Sequence, residues 1–264
     1  MSLVAPQPGS VALITGASSG IGLELARQIS ARGHDTILVA RRRPELEALA
    51  AELSAGGRRS EVIVADVSEP AERARLQEEV AALGVSVDVL ALCAGFGTGG
   101  PFIEQDRARM LLLLRTNVES TIALAAAYTP AMARAGRGSV LIVSSMAGNQ
   151  PMPNFSVYAA SKAAVTSFAE SLHQELRSAG VTVTALCPGA VATDFAAIAE
   201  MTDAEGRMPK FMIATARDTA AAGLAALERG RRRVVPGLGT QVLTFTGGHL
   251  PRGLWLRACQ KLMG

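Results

Sequence analysis

Apolar residues along this chain fall into two kinds of run. The first kind is short and nearly unbroken: VALIT (11–15), TILVA (36–40), EVIVADV (61–67), DVLAL (88–92), SVLIV (139–143), the start of VTVTALCPGAVAT (181–193) and RRVVP (232–236). Such runs predict strands buried on both faces, as in a parallel sheet. The second kind is longer, with apolar positions every three or four residues. It includes LELARQISARG after the first run, PELEALAAELSAGG after the second, AERARLQEEVAALG after the third and TARDTAAAGLAALERG before the last. Between them lie a helical region from about Phe102 to Ala135 and another that ends near Gly180. Helix spacing of this sort places one apolar stripe against a core. Strand and helix alternate throughout, which predicts right-handed βαβ units. The expected fold is α/β, a doubly wound, Rossmann-like parallel sheet of about seven strands with helices on both faces, forming a single domain over residues 1–264.

In sheets of this kind ligands sit beyond the carboxyl ends of the strands, and several unusual residues fall there. Thr15-Gly16-Ala17-Ser18-Ser19-Gly20-Ile21-Gly22 links the first strand to the first helix. Glycines at 16, 20 and 22 permit a tight turn, close approach of a phosphate and close packing of helix on strand. The helix N-terminus offers free N–H groups to a pyrophosphate. The second strand runs into Arg41, Arg42 and Arg43, where an acid would favour a free ribose 2′-hydroxyl. Arginine suits a 2′-phosphate instead, so NADP(H) is the expected cofactor, with Arg41 and Arg42 as its contacts. Asp66, Gly95, Ser145 and Pro188 end other strands.

The stretch SVLIVSSMAGNQPMPNFSVYAASK (139–162) carries the candidate chemistry. Tyr158 and Lys162 are one helical turn apart on one face. Ser145 ends the preceding strand. A hydroxyl, a phenol and an ammonium can therefore converge at the sheet edge.

Composition narrows the function classes. The net charge of +3 is modest and the basic residues alternate with acids along the helices, without an aromatic platform, so nucleic-acid binding is not expected. Cys93, Cys187 and Cys259 are scattered and odd in number, which fits a reducing compartment and suggests neither disulfides nor a metal site. The first ten residues have neither a basic start nor an apolar core like a signal peptide. A cytoplasmic protein is expected.

Taken together, the motifs resemble those of the short-chain dehydrogenase/reductase family in its ordinary single-domain form, over roughly residues 8–236. They are TGASSGIG at 15–22, Asp66-Val67, CAG at 93–95, Asn117, Ser145, Tyr158-Ala-Ala-Ser-Lys162, and Pro188-Gly189 with Thr193. The resemblance implies a catalytic tetrad of Asn117, Ser145, Tyr158 and Lys162. It also implies that residues 15–22, Asp66, Val67, Ala94, Gly95, Asn117, Tyr158, Lys162, Pro188, Gly189, Val191 and Thr193 surround the dinucleotide. A homodimer or homotetramer is implied as well. One position departs from the pattern: Cys93 stands where the family has asparagine, so local support beneath the cofactor differs.

The implied reaction is interconversion of a carbonyl and a secondary alcohol. Tyr158 would be the acid/base, with its pKa lowered by the Lys162 ammonium. Ser145 would hydrogen-bond the carbonyl oxygen, and Asn117 would hold a water that links Lys162 to solvent. The alternative is a dinucleotide-binding regulator or scaffold without turnover. Residues 194–213 read as a substrate lid. Phe96, Met146, Met152, Phe155, Phe195 and Phe211 are candidates both for an apolar pocket and for the core. The tail, 237–264, is Gly-rich and then apolar around Trp255. Packing on the body or a second subunit is favoured there over peripheral membrane contact, because one short helix anchors weakly.

Overall fold

The computed structural model describes residues 3–193, Phe195 and residues 213–263. Most of the expected substrate lid, including Phe211, lies outside the described residues.

Alternate positions of every central strand feed two separate cores. The strands are β1 (Ser10–Thr15), β2 (Asp35–Ala40), β3 (Ser60–Val64), β4 (Ser86–Leu92), β5 (Gly138–Val143) and β6 (Val181–Leu186). Leu13, Ile37, Val39, Leu90, Val140, Ile142 and Val183 point to one side, where they meet Leu76, Leu124 and Val165. Ala12, Ile14, Leu38, Val89, Ala91 and Leu141 point to the other, onto Leu25, Ile29, Leu46 and Leu224. Helices α3 (Pro70–Ala82), α5 (Ser120–Ala135) and α6 (Ser156–Leu176) supply the first set of partners. Helices α1 (Gly20–Ser30), α2 (Arg43–Ala55) and α7 (Ala216–Glu228) supply the second. This double burial is why the strand sequences read as unbroken apolar runs. Each fully buried leucine or isoleucine contributes about 1.5–3 kcal/mol.

Two short strands, β7 (Val191–Ala192) and β8 (Ala214–Thr215), pair with each other outside the main sheet. With β9 (Arg233–Val234), the main sheet has seven parallel strands in the order β3-β2-β1-β4-β5-β6-β9. The strand order reverses between β1 and β4, and that crevice is where a doubly wound sheet takes its ligand.

The predicted helical region 102–135 is divided. A 3₁₀ turn at Phe102–Glu104 precedes α4 (Arg107–Leu114), which Asp106 caps by accepting from the backbone N–H of Ala108 and Arg109. One turn of π-helix, Arg115–Glu119, then leads into α5. The stretch Arg107–Ala135 is long and apolar enough to cross a bilayer by length and composition. Here it packs on the sheet and on α6. The tail forms α8 (Leu238–His249) and α9 (Arg252–Met263).

Candidate active site

The glycine turn builds a narrow cradle at the end of β1. Gly16 has φ +68° and Gly20 has φ +56°, a region that strongly favours glycine. A Cβ on Gly22 would lie 2.2 Å from the Gly16 carbonyl oxygen, so helix and turn are in backbone contact. Ser19 gives the N-terminus of α1 no side-chain cap. The N–H groups around Gly20, Ile21 and Gly22 therefore face outward with the positive end of the helix dipole. Thr193 closes over this turn, its methyl 3.1 Å from where a Cβ on Gly20 would sit.

Arg42 reaches back to the same turn. Its guanidinium donates to the Ser18 hydroxyl at 3.1 and 3.3 Å and to the Ser18 carbonyl at 3.3 Å. Arg41 is 71% exposed and lies 3.7 Å from Asp66. Asp66 falls just beyond β3, where it accepts from the backbone N–H and hydroxyl of Ser68 at 2.9 and 2.7 Å. Val67 is buried in the core below. An uncapped helix end, glycines that exclude Cβ atoms and two flanking arginines suit a phosphorylated dinucleotide.

The chemical groups converge one strand further along. Ser145 begins a 3₁₀ turn, Met146–Asn149, and its hydroxyl accepts from the Ala147 N–H at 3.1 Å. That turn is pressed onto α6: a Cβ on Gly148 would lie 2.5 Å from the Lys162 carbonyl oxygen. The Ser144 and Thr166 hydroxyls meet at 2.6 Å and both bond that carbonyl. Ser145 is thereby fixed against the first turns of α6, which carry Tyr158.

Tyr158 is half-buried and its ring packs at 5.5 Å, centroid to centroid, on Phe195. Burial pushes its phenol up to about 12, and the opposing influence of nearby Ser145 is weaker. This corrects the expectation of a lowered value. The Lys162 ammonium lies 5.9 Å from the ring centroid and donates to the Val143 carbonyl at 3.0 Å. Lys162 is itself buried, and desolvation brings it down to about 8, against the raising influence of Cys93 and Cys187.

Asn117 lies in the π turn and is buried. Its side-chain NH₂ donates to the Phe96 carbonyl at 2.9 Å and the Ser161 hydroxyl at 3.1 Å. Its carbonyl oxygen accepts from the Phe96 N–H at 3.1 Å. Both amide hydrogens are thus committed to protein, and the Asn117 main-chain carbonyl accepts from Thr121. The geometry gives Asn117 a bracing position between the π turn and the loop after β4. Gly95 completes the wall, since a Cβ there would sit 2.9 Å from the Asn117 oxygen and 3.4 Å from Lys162 Nζ.

Cys93 and Ala94 form the floor, both donating their N–H to the Thr15 hydroxyl at 3.1 and 3.2 Å. Burial pushes the Cys93 thiol up to about 12. The Pro188 carbonyl accepts from Met146 N–H at 2.8 Å, which ties the loop after β6 to the serine turn. Gly189 lies under Thr240, and Val191 pairs with Ala214. A separate cleft of about 470 Å³, lined by Thr98–Pro101, Glu104–Asp106 and Arg109, contains none of the four chemical residues.

Several supporting residues carried no sequence signal that separated them from ordinary polar positions. Ser144 and Thr166 are such residues. Arg233, which donates to Asn149 of the serine turn at 2.8 Å, is another. Trp255 donates to the Pro151 carbonyl at 3.0 Å, just beyond that turn.

Comparison with known proteins identifies the family. A family model described as short chain dehydrogenase matches residues 10–203. A short chain dehydrogenase of Pseudocercospora fijiensis is 34% identical over 191 residues, 72% of this chain and 62% of the relative, so the match leaves over a third of that relative unspanned. An oxidoreductase of Sarocladium schorii is 34% identical over 196 residues, 74% of this chain and 78% of the relative. Among solved structures, a short-chain dehydrogenase from Sphingobium yanoikuyae in complex with NADPH is 31% identical with a TM-score of 0.80, covering 93% of this chain and 94% of its own.

Proposed function

This chain belongs to the short-chain dehydrogenase family, and from that premise we propose that it is an NADP(H)-dependent oxidoreductase that interconverts a carbonyl and a secondary alcohol of an apolar small molecule. The observation that carries this reading is the convergence of Ser145, on the turn pressed against α6, with Tyr158 and Lys162 one turn apart on that helix, on the sheet edge that also holds the glycine cradle. The Sphingobium relative's complex with NADPH supports the choice of dinucleotide, as does Arg42 beside Ser18.

When bound, the dinucleotide supplies or takes up the hydride. Gly16, Ser18, Ser19, Gly20, Ile21 and Gly22 would hold its pyrophosphate. Arg41 and Arg42 would hold a 2′-phosphate. Asp66, Val67, Ala94, Gly95, Pro188, Gly189, Val191 and Thr193 would line the remaining length.

The protein's own residues manage the proton. A phenol held at about 12 keeps its hydrogen at neutral pH, so Tyr158 is ready to donate it to a carbonyl oxygen as that oxygen gains charge. The Ser145 hydroxyl donates to the same oxygen and stabilises the developing alkoxide. Lys162, brought down to about 8, can return a proton to Tyr158 near neutral pH. Asn117 holds Gly95 and Phe96 in place beside Lys162. Phe195 against the phenol ring favours an apolar substrate.

We also propose a homodimer or homotetramer in the cytoplasm. Exposed Leu111, Leu114 and Ile122 on α4 and α5 offer an apolar contact, and the three free thiols suit a reducing compartment. Calorimetric titration with NADPH and NADH, followed by a panel of apolar ketones, tests the reading. NADPH should bind more tightly. Tyr158→Phe should bind it equally well and turn over about 100-fold more slowly or worse. Wild-type rates in Tyr158→Phe would overturn the acid/base assignment. NADPH binding without turnover of any carbonyl would favour a regulator.

A further inference from the structure

Helix α8 packs the opposite way round from a core helix. Its buried positions are Thr240 and Gly247. Thr240 meets Gly189, and Gly247 sits on Gln150 and Trp255. Three of its four large apolar residues point out: Leu238 is 81% exposed, Val242 62% and Phe245 64%, whereas Leu243 is partly buried. They recur at four and three residues, so they form one stripe. His249 extends the stripe, its ring stacked on Phe245 at 4.1 Å. Helix α9 buries Trp255 and Cys259 and leaves Leu254 and Leu256 outward, and Leu250 between the helices is exposed as well. Hydrophobic side chains clustered outward in this way mark an interaction surface.

Charge decides what that surface meets. All 23 acidic residues of the chain precede the tail, whereas three of the 26 basic ones, Arg252, Arg257 and Lys261, lie in it. The rest of the chain is therefore balanced, and the whole net charge of +3 resides in residues 237–264. A two-fold contact between copies would set this cationic surface on itself. An anionic bilayer accepts both features, apolar side chains at the acyl boundary and cations at the phosphates.

We infer that the outward face of α8 and α9 docks on an anionic lipid surface, with Leu238, Val242 and Phe245 inserted and Arg252 and Arg257 at headgroup level. The attachment is peripheral and reversible, since a few side chains and two arginines give only modest affinity. This docking is independent of the reaction proposed above.

Flotation of the purified full chain with vesicles tests it. One set is phosphatidylcholine alone and the other contains phosphatidylglycerol. The protein should float with the anionic vesicles and not with the neutral ones, and high salt should release it. Arg252→Glu with Arg257→Glu should lower the bound fraction roughly tenfold or more. Val242→Asn with Phe245→Asn alters only exposed positions and should abolish flotation while leaving the circular dichroism spectrum unchanged. Three results would overturn the inference. They are no flotation of folded wild type with anionic vesicles, undiminished flotation of the Asn pair, and a wild-type dimer by sedimentation that the Asn pair dissociates.

Discussion

Asn117 and Phe96 exchange two hydrogen bonds, the side-chain amide of one with both backbone groups of the other, at 2.9 and 3.1 Å. The pair joins the π turn to the loop after β4, and so sets the distance between Gly95 and Lys162. Asn117→Ala leaves the Phe96 N–H and carbonyl without these partners in a part-buried site. A loss of about 1–3 kcal/mol is expected in denaturant unfolding. Weaker dinucleotide binding should accompany it, as the Gly95 wall relaxes.

Lys162 gives the fold a distinct pH response. Its folded value, about 8, lies below the ordinary 10.5, so the unfolded chain binds the extra proton between those limits. Stability from this residue is therefore reduced below pH 8 and recovers as pH rises toward 10.5. Tyr158 acts oppositely in a higher window, since its value rises from 10 to about 12 and its contribution falls across that range. Urea midpoints measured from pH 7 to 10.5 should show a steeper rise, or a shallower fall, in wild type than in Lys162→Met. Parallel curves would remove the burial penalty assigned to Lys162.

Arg42 should separate the two dinucleotides. Removing a guanidinium that would meet a 2′-phosphate costs about 1.5–3 kcal/mol, or roughly 10- to 150-fold in affinity. In titration calorimetry Arg42→Ala should weaken NADPH to that extent and leave NADH within about twofold. Equal losses for both would assign Arg42 to the pyrophosphate turn instead.

Gly22→Ala tests the cradle sterically. The added methyl would stand 2.2 Å from the Gly16 carbonyl oxygen, far inside any real contact, and both neighbours are backbone. The turn must open or the helix must shift. NADPH affinity should fall at least tenfold, with destabilisation of about 1–3 kcal/mol read from thermal unfolding.

The doubly wound sheet was legible because each strand is apolar on both faces, as Leu13 and Ile14 show by facing opposite cores. Positions along strands were less so. Asp66 ends an apolar run, yet β3 stops at Val64, because the carboxylate turns to Ser68. The break at Arg115–Glu119 was hidden, since one π turn barely disturbs helical spacing. The direction of the Tyr158 shift depends on depth of burial, which spacing does not encode. In the tail the apolar content was visible but its orientation was not. The helix seats Thr240 and Gly247 and turns Leu238, Val242 and Phe245 outward.

Trp255 is the single tryptophan of the chain, and its indole N–H bonds the Pro151 carbonyl, six residues beyond Ser145. Indole emission responds to loss of a hydrogen bond and to entry of water. The protein therefore contains its own optical probe at the junction of tail and serine turn. Emission followed in a stopped-flow instrument would time any separation of the two, without a label and before any substrate is known.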